Sequence, residues 1–199
     1  MLDLQIPGQM TEGELRGIEW LAKKVPSGGT VVEIGSLYGR SSYTWSSSTD
    51  PSVTVYCVDP WIREPWIVEL VEKRIPNCPK FSFEAFQNYT RSAKNIVPVR
   101  GYSPDDLVNW TTPVDLFFDD AMHTNPVFRK NLRFWLSKMR AGGIMCGHDY
   151  CRQWPDVIHE VDQLAKELNV EVKTRQWLWW IVLPTKLPRR FSRWMRQWR

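Results

Sequence analysis

The chain has 199 residues, 43% of them hydrophobic, with a net charge of +4; that length suits one α/β domain with a real core, and no apolar run approaches the roughly 18–20 residues of a membrane span. Met1-Leu2-Asp3-Leu4 has neither a cationic start nor an apolar signal core, so secretion is not expected and a cytoplasmic location is. The excess positive charge falls in residues 186–199, KLPRRFSRWMRQWR, which contain no acid, so no broad nucleic-acid-binding face is expected.

In chain order, Thr11 and Glu14 form a capping box, and Leu15, Ile18, Leu21 and Ala22 give one apolar helical stripe. Pro26-Ser27-Gly28-Gly29 stops that helix before a buried strand at Thr30–Ile34, and a second strand over 53–58 ends in Asp59-Pro60-Trp61. Residues 62–93 read as one or two helices interrupted by Pro76 and Pro79. A short strand at 96–99 precedes a short helix with Ser103 as N-cap and Pro104 in its first position. Val114–Asp119 is a strand, 125–139 a helix stopped by Arg140-Ala141-Gly142-Gly143, 144–147 a strand, and Pro155–Leu168 a helix. Segments 170–173 and 178–183 read as a closing antiparallel hairpin. The four cysteines, Cys57, Cys78, Cys146 and Cys151, lack CxxC spacing and read as reduced thiols.

Strands alternating with helices predict a Rossmann-like α/β fold: a seven-stranded, mostly parallel sheet with helices on both faces and a C-terminal antiparallel hairpin. One domain over 1–185 and a basic tail over 186–199 is the economical division. In such sheets ligands bind beyond the carboxyl ends of the strands. That rule singles out the segments 33–39, Asp59, 101–103, 120–123 and 148–150.

The turn Gly35-Ser36-Leu37-Tyr38-Gly39 joins a strand to a helix starting near Arg40. Leu37 stands where a dinucleotide site needs its second glycine, which argues against NAD or FAD. Glu33 before the turn suits the ammonium of an amino acid, directly or through water, and Asp59 is placed to accept hydrogen bonds from a ribose diol. Trp61 is a candidate pocket wall. Asp120 and His123 form D-x-x-H after the fourth strand, and His148 and Asp149 follow the fifth. His123, Asp120 and His148 are therefore candidate catalytic residues; His123 is the candidate base. Asp120, His148 and Asp149 are candidate ligands for a divalent metal.

The pattern E-x-G-x-x-x-G-x-S at Glu33–Ser41 resembles motif I of class I S-adenosylmethionine-dependent methyltransferases. With Asp115-Leu116-Phe117-Phe118-Asp119-Asp120-Ala121-Met122-His123, Trp135 and Gly142-Gly143-Ile144-Met145-Cys146-Gly147-His148-Asp149-Tyr150, the chain resembles the methyltransferase 24 family, related to macrocin-type sugar O-methyltransferases. The resemblance implies S-adenosylmethionine as methyl donor. It places Glu33, Gly35, Ser36, Gly39, Ser41 and Asp59 on that cofactor, with Gly101, Tyr102 and Ser103 near the adenine and Asp120 close by. It also implies a metal on Asp120 and a pair of acids after the fifth strand. Here His148 replaces the first of that pair, which argues against magnesium, an ion that prefers oxygen ligands, and toward an imidazole-tolerant ion such as manganese or iron, or no ion.

The expected reaction is O-methylation of a small-molecule or glycan-like acceptor. A non-catalytic nucleoside-binding module and a metal-dependent oxygenase on the same fold are the competing readings. In the tail, Phe191, Trp194, Met195 and Trp198 form one helical face among arginines. Such a helix suits docking on the domain, a second copy of the chain, or an anionic membrane surface.

Overall fold

The computed structural model describes residues 2–75 and 78–186. Pro76 and the amphipathic face expected at 191–198 lie outside the described residues. The described strands are β1 (Thr30–Ile34), β2 (Thr54–Asp59), β3 (Ile96–Arg100), β4 (Val114–Asp119), β5 (Met139–Gly147), β6 (Lys173–Arg175) and β7 (Leu178–Val182). They form one sheet in the order β3-β2-β1-β4-β5-β7-β6. Neighbours from β3 to β5 run parallel, and β7 is antiparallel to both β5 and β6. The expected sheet, including its closing hairpin, is the one observed.

The helices are α1 (Glu12–Ala22), α2 (Arg40–Ser48), α3 (Pro65–Ile67, running into a π turn at Val68–Glu72), α4 (Phe83–Thr90), α5 (Val127–Leu136) and α6 (Pro155–Leu168). The α1 capping box is complete: Glu14 N–H donates to Thr11 Oγ1, and Thr11 N–H donates to Glu14 Oε2 at 2.8 Å. Strand residues alternate between two cores, as the pleat requires. Val31, Val55, Leu116 and Phe118 pack with α1, α2 and α4, while Val32, Ile34, Phe117 and Met145 pack with α5 and α6.

Several boundaries differ from those expected from the sequence. The helix expected to reach residue 139 ends at Leu136, closed by tight turns from Ser137 N–H to Phe134 O and Lys138 N–H to Trp135 O. The supposed glycine stop lies inside β5. Met139 pairs with Val114, Ile144 pairs with Leu116, and the register shift between them absorbs the exposed residues 140–142, with Gly142 at φ +76°. The hairpin's first strand starts at Lys173, because Val170 N–H turns back to Ala165 O and closes α6 behind the left-handed Asn169.

Candidate active site

The chain leaves β1 in mid-sheet, builds outward through β2 and β3, then crosses back to β4. The crevice at that reversal is where such sheets bind ligands. Gly35 sits in it at φ +84°, its N–H donating to Val58 O at 2.9 Å. Asp120 N–H donates to Ile34 O at 3.0 Å, and a Cβ on Gly35 would lie 2.2 Å from Asp120 O. Gly35 is thus required by the approach of two protein backbones. Gly39, at φ +93°, is held against α4, where a Cβ would come within 2.4 Å of Thr90 Cγ2; it does not line the cavity.

Asp59 ends β2 and holds the glycine turn in shape. Its Oδ2 accepts from Leu37 N–H at 3.1 Å and its Oδ1 from Trp61 N–H at 2.7 Å. Burial raises its pKa to about 6 against these two hydrogen bonds. Trp61 braces the turn from behind: its ring packs on Phe83 and Phe86, and its Nε1–H donates to Leu37 O at 2.9 Å. The tryptophan that lines the cavity is Trp66.

Glu33 also lies behind the turn. Its carboxylate is fully buried, accepts from the Ser42 hydroxyl, and is surrounded by Ser41, Ser36 and Trp45. Burial raises its pKa. Ser36 and Ser41 reach the cavity; Glu33 does not. Tyr102 and Ser103 line the far side. Ser103 caps no helix: its hydroxyl donates to Asn131 Oδ1 at 2.8 Å and accepts from Trp135 Nε1–H at 2.9 Å.

On the β4–β5 side, ligand atoms of Asp120, His123 and Asp149 all lie within 4.8 Å of one another. His123 Nε2 is 2.8 Å from Asp149 Oδ2, while its Nδ1 is buried without a hydrogen-bond partner among the described residues. His148 stands behind this trio: Nδ1 is 3.3 Å from Asp149 Oδ2 and 3.7 Å from Asp120 Oδ1, and Nε2 is 3.1 Å from Glu14 Oε1. Burial opposes charging His148, but Asp149, Glu14 and Asp120 outweigh it and carry its pKa up to about 10. Burial also works against Asp149, yet His123 and His148 hold it below the usual carboxylate range. Asp120, whose burial dominates, is raised to about 7. The ligand atoms that converge are those of Asp120, His123 and Asp149, so His123 rather than His148 completes that group.

These groups face a cavity of about 280 Å³ that runs from Asp59 to Asp149. The sequence matches the Methyltransferase domain family (Methyltransf_24) over residues 32–150. The chain belongs to this family. It is an S-adenosylmethionine-dependent methyltransferase. Among solved structures, the methyltransferase is similar to the O-methyltransferase TomG of Streptomyces achromogenes, solved with S-adenosylmethionine: TM-score 0.66, 16% identity, 88% of this chain and 82% of that one. It is similar to the Bacillus cereus O-methyltransferase solved with S-adenosylhomocysteine: TM-score 0.60, 14% identity, 89% and 84%. It also resembles precorrin 8w decarboxylase of Methanobacterium thermoautotrophicum: TM-score 0.61, 14% identity, 92% and 95%. At these identities the likeness is one of fold. No match was found among curated protein sequences.

The cavity of the methyltransferase fits its donor. Asp59, Glu64, Asp120 and Asp149 line it and favour a sulfonium cation, and the Ser36 hydroxyl, which reaches the cavity, is buried without an aligned partner among the described residues. Two contributions escaped the sequence reading. Glu14 was recognised only as a capping residue; its second oxygen faces His148. Residues 7–10 roof the cavity, anchored by Arg40, whose guanidinium donates to Ile6 O at 2.6 Å, Met10 O at 2.9 Å and Leu4 O at 3.3 Å.

Proposed function

We propose that this methyltransferase acts on a hydroxyl group, and that the Asp149–His123 pair accepts the hydroxyl proton. One observation carries the reading. In the same cavity as Asp59, His123 is oriented through Nε2 by Asp149 at 2.8 Å, which leaves Nδ1 buried and without a partner among the described residues. The O-methyltransferase activity named for the Streptomyces and Bacillus neighbours agrees with it in kind.

Bound S-adenosylmethionine supplies an electrophilic methyl on a sulfonium. Asp59 keeps acceptor capacity on both oxygens, which would hold a ribose diol, and its contacts with the Leu37 and Trp61 N–H groups keep the glycine turn in shape. His123 takes the acceptor proton at Nδ1 while Asp149 stabilises the imidazolium formed. Asp149, held ionised by its two histidines, would keep negative charge in the site for the sulfonium, and His148 holds it in place. The new C–O bond forms as the S–C bond breaks, so positioning is the largest task left to the protein.

The 4.8 Å grouping of Asp120, His123 and Asp149 supports a second reading of the same reaction. These three side chains would hold a divalent cation such as manganese, magnesium or iron. Such an ion would lower the pKa of the acceptor hydroxyl. His123 Nε2 would then be a ligand in place of its bond to Asp149.

Calorimetric titration with S-adenosylhomocysteine tests the donor site, repeated with manganese, magnesium and a chelator. Labelled methyl transfer under the same conditions separates the two readings. His123→Ala is expected to keep nucleoside affinity within about twofold and to lose about 10²–10⁴ in rate. Failure of both S-adenosylmethionine and S-adenosylhomocysteine to bind overturns the proposal. Activity that survives chelation excludes the metal-assisted form.

A further inference from the structure

Half of the large hydrophobic side chains exposed among the described residues line this one cavity: Ile62, Trp66, Leu70, Tyr102, Met122 and Val127, each more than one-third exposed. Large apolar side chains concentrated at the mouth of a pocket mark a binding surface. Tyr102, Met122 and Val127 follow β3 and β4, on the side where the adenosine end of the donor is expected. Ile62, Trp66 and Leu70 come from the segment between β2 and α4.

The roof joins that second wall to the reaction centre. Gln9 Nε2–H donates to Leu70 O at 3.2 Å, and a few residues on, Glu14 faces His148 at 3.1 Å. Residues 7–10, Trp66, Leu70 and His123 all line the one cavity.

Charge and hydrogen bonding narrow the occupant. Asp59, Glu64, Asp120 and Asp149 line the cavity; among the described lining residues the cations are Arg40 and the histidines, and no lysine is present. Arg40 is engaged by the three carbonyls of the roof, and His148 by Glu14 and Asp149. The four carboxylates outnumber Arg40 and the two histidines, so the lining holds no surplus positive charge to receive a phosphate or carboxylate on the acceptor. Beside Ile62, Trp66 and Leu70 the polar side chains of the lining are Glu64 and Gln9, and one Gln9 N–H is already donated to Leu70 O, so a sugar would find few hydrogen-bonding partners on this wall. Trp66, 52% exposed, offers a flat apolar face.

Resting on the hydroxyl-methylation reading above, we propose that the acceptor is an uncharged aryl alcohol whose ring lies against Trp66 and Leu70. It is not a glycan and not a phosphorylated or carboxylated molecule. Trp66 is then a specificity-determining residue that touches acceptor and not donor.

The test uses the full chain, free and loaded with S-adenosylhomocysteine, and three probes measured by equilibrium dialysis: a naphthol, the naphthyl phosphate and the naphthyl glucoside. The naphthol is expected to bind at least about tenfold more tightly than either derivative. Trp66→Ala should weaken it about tenfold and Trp66→Phe should restore most of the loss, while S-adenosylhomocysteine affinity stays within about twofold in both variants. Because Trp66 is exposed, its truncation leaves the core intact. Equal or tighter binding of the phosphate or the glucoside overturns the acceptor class, as does naphthol binding indifferent to Trp66→Ala. If S-adenosylhomocysteine fails to bind, the methyl-transfer assignment falls; naphthol selectivity that persists in the free protein would still support the apolar acceptor wall.

Discussion

His148 shows how acids from separate elements can hold one buried imidazole. It is buried, faces Glu14, Asp149 and Asp120, and has its pKa lifted from 6.5 to about 10 because these acids outweigh its burial. A raised imidazole pKa means that its stabilisation is complete below 6.5 and is lost as pH climbs through about 10. Glu14→Gln keeps an acceptor for the α1 cap but removes one negative partner. The alkaline limb of the melting-temperature profile is therefore expected to move toward neutral pH, with a loss of about 1–3 kcal/mol near pH 7. An unchanged limb would show that Glu14 does not hold the histidine. Asp59 gives a second contrast at this scale. Asp59→Asn keeps an acceptor for only one of the Leu37 and Trp61 N–H groups, and Asp59→Ala keeps neither. Titration should show nucleoside affinity falling in the order Asp, Asn, Ala, with about a hundredfold loss for alanine.

At the scale of elements, the β1–α2 turn is shaped by its neighbours as much as by its ligand. Gly35→Ala forces a Cβ onto Asp120 O at 2.2 Å in a left-handed conformation that alanine resists. Denaturant unfolding is expected to show a loss of about 3–5 kcal/mol, with β4 as well as β1 affected. A mild effect would mean that the turn can move away from β4. The roof depends on a different element: Arg40, in the first turn of α2, gathers three carbonyls of residues 4–10 with a planar fork. Lysine has a single ammonium and cannot reproduce that geometry. Hydrogen exchange should show residues 4–10 opening in both Arg40→Ala and Arg40→Lys. Protection retained in the lysine variant would indicate that charge alone suffices.

On the scale of the whole molecule, a sheet with a core on each face has two nearly independent reservoirs of stability. Val31 packs with α1 and α2, and Val32 with the α5–α6 side; both are fully buried. Val31→Ala and Val32→Ala are each expected to cost about 2 kcal/mol. The double variant should show nearly their sum, because the side chains share no partners across the sheet. Marked non-additivity in chemical denaturation would indicate that β1 shifts as a unit. No helix among the described residues is long and apolar enough to cross a membrane.

Periodicity and turn chemistry carried most of the architecture. Apolar runs of strand length, helical stripes at Leu15–Ile18 and along α6, and the capping box at Thr11 are local properties, and the sheet order follows from packing crossovers on both faces. Where the reading slipped, two local signals competed: Gly142 and Gly143 serve equally as a helix stop or as a bulge, and only pairing with β4 decides. The site divides along the same line. Asp59, Asp120, His123 and Asp149 were legible because strand ends converge by topology. The withdrawal of Glu33 and Trp61 behind the turn, the pairing of Glu14 with His148, and the apolar wall at Trp66 were not. Each depends on where a side chain points and on what reaches it from another element, and a one-dimensional pattern contains neither. The sequence by itself determined the fold and the donor; tertiary structure decided which candidate residues line the cavity and which stand behind it, because burial and charge pairing exist only once distant segments meet.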